Sequence, residues 1–296
     1  MLENGSDAAV VDASKQSRWA RMPAELLRNV LMRIEASEST WPARKNVVSC
    51  AGVCKNWRET MKRIVKSPEF SGNLTFPISL KQPGSRGSLI QCFVKRNRSK
   101  QTYHLYQSSD QGVDEGKFLL AAKRCRHATC TDYIISASLN AEDLSKGSNT
   151  YIGKLRGPRR MQCLVNAIPT RDSSSSLPFF GSKSAQIKNS QSGSSSSAQK
   201  HAMLPLKNKE PRWHERLERW SLNFNGRVTV ASAKNFQLVA PVENGSGGGG
   251  WEHENVVLQF GKVGKDAFTM HYGYPISAFQ AFVICLSRFD TKITCE

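Results

Sequence analysis

Between Ile276 and Leu286 the chain carries Ile276, Ala278, Phe279, Ala281, Phe282, Val283, Ile284, Cys285 and Leu286. Wound into a helix, this stretch is apolar on every side, so it has to be enclosed by protein. At about a dozen residues it is too short to cross a bilayer, and nowhere does an apolar run reach the length of a transmembrane helix. A short, fully apolar helix needs a shell, and the preceding sequence has the texture of one. The spacing predicts a helix threaded through a closed β barrel.

The shell is written in short alternating stretches. Leu89, Cys92 and Val94, then Tyr103, Leu105 and Tyr106, are separated by polar residues and bounded by Gly, Pro, Asn and Ser, a strand-and-turn signature. Further strands are expected at Phe118–Ala122, Tyr133–Ser138, Arg160–Ile168, Phe236–Val239, Val256–Phe260 and Phe268–Met270. Asn225-Gly226, flanked by Leu222, Phe224, Val228 and Val230, reads as a hairpin with a type I′ turn, which needs two positive-φ residues. Residues 171–200, with serine runs at 173–176 and 194–197, and residues 244–250 (NGSGGGG) read as flexible loops.

The N-terminal part differs. Residues 1–17 read as a polar tail without the basic and apolar regions of a secretory signal. Residues 18–66 read as helical. Pro23 is placed in a first turn, where its missing N–H costs nothing. Leu26, Leu27, Val30, Leu31 and Ile34 recur at helical spacing. Trp41-Pro42 interrupts the pattern. A second helix is expected over Val47, Val48, Cys50, Ala51, Val53, Cys54 and Trp57, extended by Met61, Ile64 and Val65.

Charge narrows the partners. Forty-two Lys and Arg against 24 Asp and Glu give a net charge of +18 and a pI near 9.8. An excess of this size points to nucleic acid, a phosphoinositide-bearing membrane or an acidic protein surface. Lys95, Arg96, Arg98 and Lys100, then Lys123, Arg124 and Arg126, form basic clusters interleaved with Phe93, Tyr103 and Tyr106. No helix-turn-helix or RNP-type motif accompanies them, which speaks against sequence-specific readout. Cys125, His127 and Cys130 lie close together, but a structural zinc site needs four ligands and no second pair is nearby, so no metal is expected. The eight cysteines read as reduced thiols. No Walker loop, nucleophile elbow or paired-carboxylate motif is present, so neither catalysis nor a cofactor is expected.

Two resemblances follow. The order Met22-Pro23, Glu25-Leu26-Leu27, Val30-Leu31, Ile34, then Val47-Val48, Cys50, Val53-Cys54 and Trp57-Arg58 resembles an F-box, over residues 18–66. The resemblance implies a three-helix module that docks on the Skp-type adaptor of a cullin–RING ubiquitin ligase. It also implies that Pro23, Leu26, Leu27, Val30, Leu31 and Ile34 face that adaptor. A plain helical hairpin, with these residues filling its own core, is the competing reading.

Over residues 73–296 the stretches FLLAAKR (118–124), TDYIIS (131–136), YIGKLR (151–156), GPRRM (157–161), LNFNGRVTVASAKNFQLV (222–239), VLQFGKVGKDAFTM (257–270) and YPISAFQAF with CLSRFDTKITCE (within 274–296) are similar to the tubby C-terminal domain. An F-box followed by a tubby domain is the arrangement of plant tubby-like F-box proteins. The resemblance implies an α+β chain, with the F-box followed by an antiparallel β barrel around a central apolar C-terminal helix. It implies binding of phosphatidylinositol 4,5-bisphosphate, with Lys154 and Arg156 of YIGKLR holding the headgroup, and a polar contact from the position of Asp132. It places such a protein at the cytosolic face of the plasma membrane, in the cytoplasm and in the nucleus, as a ligase adaptor for protein substrates; a nucleic-acid role in the nucleus is the alternative. The chain departs from the family where Arg156 runs directly into Gly157-Pro158-Arg159-Arg160. Several dozen family residues are absent there, among them strands and a basic headgroup contact, so the barrel is expected to be incomplete or smaller, and lipid binding weakened. His271 and Arg288 replace an Asp and a small residue of the family pattern.

Overall fold

Pro23 sets where the first helix begins. It stands one residue outside the helix, in an extended conformation (φ −52°, ψ 137°), and its carbonyl accepts from the Leu27 N–H at 3.0 Å. Helix α1 runs Ala24–Ser37, α2 Lys45–Gly52 and α3 Lys55–Ile64. The expected second helix is therefore two: Cys54 is extended (φ −158°, ψ 176°) and restarts the chain, giving three helices. Leu27, Leu31, Val47, Ala51, Trp57 and Met61 close a small core of their own. The computed structural model describes residues 19, 22–109, 112–127, 131–140, 144–157, 164–166, 203–240 and 256–290. The readings of 1–17, 171–200 and 244–250 fall outside them.

A one-turn helix, α4 (Pro68–Ser71), leads to the strands β1 (Ile90–Asn97), β2 (Thr102–Ser109), β3 (Gly112–Arg126), β4 (Thr131–Ser136), β5 (Tyr151–Gly157), β6 (Leu164–Asn166), β7 (Met203–Pro205), β8 (Lys207–Asn208), β9 (Arg212–His214), β10 (Arg219–Ser221), β11 (Phe236–Val239), β12 (Val256–Lys262) and β13 (Ala267–Tyr272). Nine of them form one sheet in the order β5-β4-β3-β2-β1-β13-β12-β11-β8; β6–β7 and β9–β10 make separate two-stranded ladders. Every described pair is antiparallel.

Among the described residues the sheet is not closed, so the closed barrel suggested by the apolar helix is not seen, whereas the incomplete one expected from the resemblance agrees with the strand order. Among the described residues β5 and β8 end the sheet and do not pair with each other. The edge at β5 coincides with Arg156–Gly157, where the resemblance implies that a segment of the family is absent.

Helix α5 (Ala278–Ser287) lies on this sheet as the sequence requires. Ser277 and Gln280 form a reciprocal capping box: the Ser277 hydroxyl accepts from the Gln280 N–H at 3.2 Å, and the Gln280 side chain accepts from the Ser277 N–H at 2.9 Å. Ala278, Ala281, Phe282, Ile284, Cys285 and Leu286 are buried among Val94, Leu105, Leu120, Tyr133, Leu258, Phe260 and Met270. Phe279 and Val283, one turn apart, are only partly buried. Enclosure on every side is thus replaced by enclosure on all but one stripe, the counterpart of the open sheet.

Asn225 and Gly226 adopt the positive φ values (51° and 72°) the turn reading requires, and Arg227 N–H closes the turn on Phe224 O at 3.1 Å. The flanking residues do not pair with each other as a hairpin. Side chains of the neighbouring sheet take their place: Gln237 Nε2 donates to Asn223 O at 2.9 Å and Thr269 Oγ1 to Arg227 O at 3.2 Å.

Candidate functional site

Strands β4 and β5 place Asp132 opposite Arg156 and Ile134 opposite Lys154. Residues two apart on a strand share a face, and both cations reach the same carboxylate. Lys154 Nζ lies 2.5 Å from Asp132 Oδ2, and Arg156 Nε donates to Asp132 Oδ1 at 3.3 Å. His127 Nε2 stands 3.2 Å from Asp132 Oδ2. Asp132 is buried, and the hydrogen bond from Lys154, helped by Arg156, holds its carboxyl below the usual range against the opposing effect of burial.

The geometry ranks the two cations. The Lys154 side chain is 20% exposed and committed to Asp132, whereas Arg156 is 70% exposed. One fixed anion thus orients two strand cations, and a positive charge is left over facing solvent. Such a pair suits a ligand with adjacent phosphates: a guanidinium fork meets one and the ammonium, as a point charge, the other. On the core side of the same strand, a Cβ at Gly153 would lie 2.7 Å from the Phe279 ring, so the glycine admits the central helix. The resemblance implies a polar headgroup contact at the position of Asp132, but a carboxylate has the wrong charge to meet a phosphate. Its place is that of counter-ion, and only the β4–β5 register reveals it. Arg159 and Arg160, the next cations along the chain, lie outside the described residues.

The six helical candidates divide into two stripes of α1. Leu27 and Leu31 are fully buried and Ile34 is partly buried against them, so these three belong to the module's own core, as in the plain helical reading. Pro23, Leu26 and Val30 are spaced i, i+3, i+7 on an exposed face; Leu26 is 58% and Val30 41% exposed. That face is apolar and open.

The basic clusters are less open than their sequence suggests. Arg96 and Arg98 both hold Asp266, at 3.1 and 2.7 Å, and Arg124 pairs with Asp290 at 2.5 Å. Phe93 is buried and stacked on Tyr106, and Tyr103 is buried against Tyr133 and Phe289. Rings enclosed in this way give bases no stacking platform. Of the metal candidates, His127 faces Asp132, Cys125 lies on β3 and Cys130 is outside the described residues; no cluster of three metal-ligating side chains occurs among those described.

The two departures each find company. Arg288 donates to Ala233 O at 3.0 Å and lies over the Phe236 ring. His271 is buried with Nδ1 3.0 Å from Arg227 Nη1; burial first, and that guanidinium second, lower its pKa to about 4.

Comparison with known proteins bears on both parts of the chain. A family model described as the Tub family matches residues 80–157 and 155–291. The two matches meet at the junction of Arg156 and Gly157, where the sequence reading places the missing segment. Among similar proteins, Tubby-like F-box protein 3 of Arabidopsis thaliana is 55% identical over 367 aligned residues, covering 97% of this chain and 89% of that protein. Tubby-like F-box protein 6 of Oryza sativa subsp. japonica is 49% identical (96% and 89% covered), and Tubby-like F-box protein 11 of Arabidopsis thaliana is 46% identical (96% and 92% covered). An aligned span of 367 positions against a chain of 296 leaves at least 71 positions of the first relative without a counterpart here.

Proposed function

The chain belongs to the Tub family, and from that premise we propose that it is a non-enzymatic, membrane-tethered F-box adaptor. The helical module docks a Skp-type subunit of a cullin–RING ubiquitin ligase through the exposed face of Pro23, Leu26 and Val30. The sheet binds phosphatidylinositol 4,5-bisphosphate through Lys154 and Arg156 and holds the protein at the cytosolic face of the plasma membrane, where it presents a protein substrate. The names of the relatives support the F-box part. The observation that carries the lipid part is the Lys154–Asp132–Arg156 arrangement, which fixes two cations on one face of an edge strand.

Each half has its test. In liposome sedimentation, Lys154→Ala with Arg156→Ala lowers binding to vesicles containing the bisphosphate by about tenfold or more; unchanged sedimentation contradicts the site. In adaptor pull-down, Leu26→Ala with Val30→Ala abolishes capture while the melting temperature stays put, because neither side chain is in the core. Capture at the wild-type level contradicts the docking face.

A further inference from the structure

The segment between the helical module and the sheet is built as a joint. Leu74 is buried in the sheet core, while Phe76, two residues on, packs against the helical core. Between them Thr75 is buried, and its hydroxyl accepts from Arg44 Nε at 2.5 Å. Arg44 is itself buried on the helical side, with Nη1 donating to Glu38 O at 2.9 Å and Nη2 to Glu35 Oε1 at 2.7 Å. The helical side also supplies Trp41, whose Nε1 donates to Leu74 O at 3.1 Å. The sheet answers with one long side chain. Lys117 of β3 donates from Nζ to Leu74 O and Thr75 O, at 3.2 Å each, and its ammonium sits 3.5 Å from the centre of the Trp41 ring.

We propose that Lys117 is a latch that locks the helical module onto the sheet by gripping the Leu74–Thr75 backbone and the Trp41 ring together. The default for two modules joined by a short connection is relative motion. Here an ammonium from one module meets two carbonyls of the joint and an aromatic face of the other. An ammonium on an aromatic face is attracted by the ring quadrupole, more strongly when water is excluded. Buried carbonyls stripped of their donors carry a desolvation cost that favours the closed joint. The site is costly for the charge it holds: burial, with Arg44 adding, lowers the Lys117 pKa to about 8. Within the connection itself, Arg86 holds Glu69 of α4 at 2.6 Å. The consequence is a fixed relation between the exposed α1 face and the Lys154–Arg156 strand. Only its meaning for a ligase rests on the function proposed above; the latch does not.

The test uses the whole chain with neither lipid nor adaptor, so its failure is separate from failure of that reading. The probes are exchange of the Trp41 indole N–H, bonded to Leu74 O, and of the Ser79 amide, bonded to Phe76 O at 2.9 Å. Lys117→Met, similar in length but without charge or donors, speeds both by about tenfold or more, with amides of the β1–β13 ladder unchanged. Lys117→Arg restores slow exchange. Trp41→Leu, approaching from the helical side, speeds the Ser79 amide in the same way. Unchanged exchange of Trp41 in Lys117→Met overturns the latch. Loss of protection throughout the sheet in both Lys117→Met and Trp41→Leu also overturns it, because Lys117 and Trp41 would then be general core residues.

Discussion

Asp132 is the residue whose role changes most between sequence and structure. On its own strand it reads as a carboxylate misplaced in a basic neighbourhood; across the ladder it is the anion that aligns Lys154 and Arg156. Removing it releases Lys154 and raises the local positive charge. Asp132→Asn is therefore expected to tighten binding to phosphatidylserine vesicles several-fold, with a steeper fall on added salt, and to narrow the preference for vesicles containing phosphatidylinositol 4,5-bisphosphate, because the pair loses its alignment. A preference between the two vesicles as large as in the wild type would mean that Asp132 does not align the pair. His271 makes a second prediction at this scale. Its folded pKa of about 4 lies below the ordinary 6.5, so the unfolded chain takes up the proton first as pH falls. Its contribution to stability is complete above pH 6.5 and is lost as pH falls towards 4, amounting to up to about 3 kcal/mol. Urea denaturation between pH 7.5 and 4.5 checks this: His271→Gln flattens that part of the pH dependence, and an unaltered slope contradicts it. The replacement at 271 was visible in the sequence. Its burial against Arg227 was not, because the two are 44 residues apart.

At the scale of elements, α5 was legible because being apolar all round leaves a helix one fate, and α1 because its apolar residues keep helical spacing. What spacing cannot tell is which of two apolar stripes turns inward. Leu27–Leu31–Ile34 and Pro23–Leu26–Val30 are equally regular, and packing against Val47, Trp57 and Met61 makes the choice. Leu31→Ala is expected to cost the module about 2–5 kcal/mol, whereas Val30→Ala leaves its melting nearly untouched. Equal effects on the melting curve would contradict the division. Strand β5 and helix α5 depend on each other at Gly153, where the Phe279 ring occupies the space of a side chain. Gly153→Ala must push strand and helix apart, at about 1–3 kcal/mol, and disturb the spacing of Lys154 and Arg156 with it. The turn at Asn225-Gly226 shows the limit of local signals: the dipeptide fixes its own φ values, but the pairing of its flanks is set by what the neighbouring sheet offers.

For the whole molecule, the junction at Arg156–Gly157 marks one end of the described sheet and the meeting point of the two family matches. A sheet that ends at β5 and β8 leaves two edges and one stripe of α5, at Phe279 and Val283, less covered than a barrel would. The shortening after Arg156 could be read from the motif order; that the described strands do not close a smaller barrel could not, since closure depends on strand tilt and stagger. The net charge of +18 finds a structural reading as well. Arg96, Arg98 and Arg124 are held by Asp266 and Asp290, and Lys154 and Arg156 by Asp132; the Lys154–Arg156 pair stands out for its placement rather than its amount. The account's central claim is that this placement reads a headgroup and does not merely respond to a charged surface. The most direct measurement is the affinity of the whole chain for vesicles containing phosphatidylinositol 4,5-bisphosphate, set against phosphatidylserine vesicles of equal surface charge. The account predicts about tenfold tighter binding to the former, abolished by Lys154→Ala with Arg156→Ala. Equal affinity for the two vesicles would contradict it.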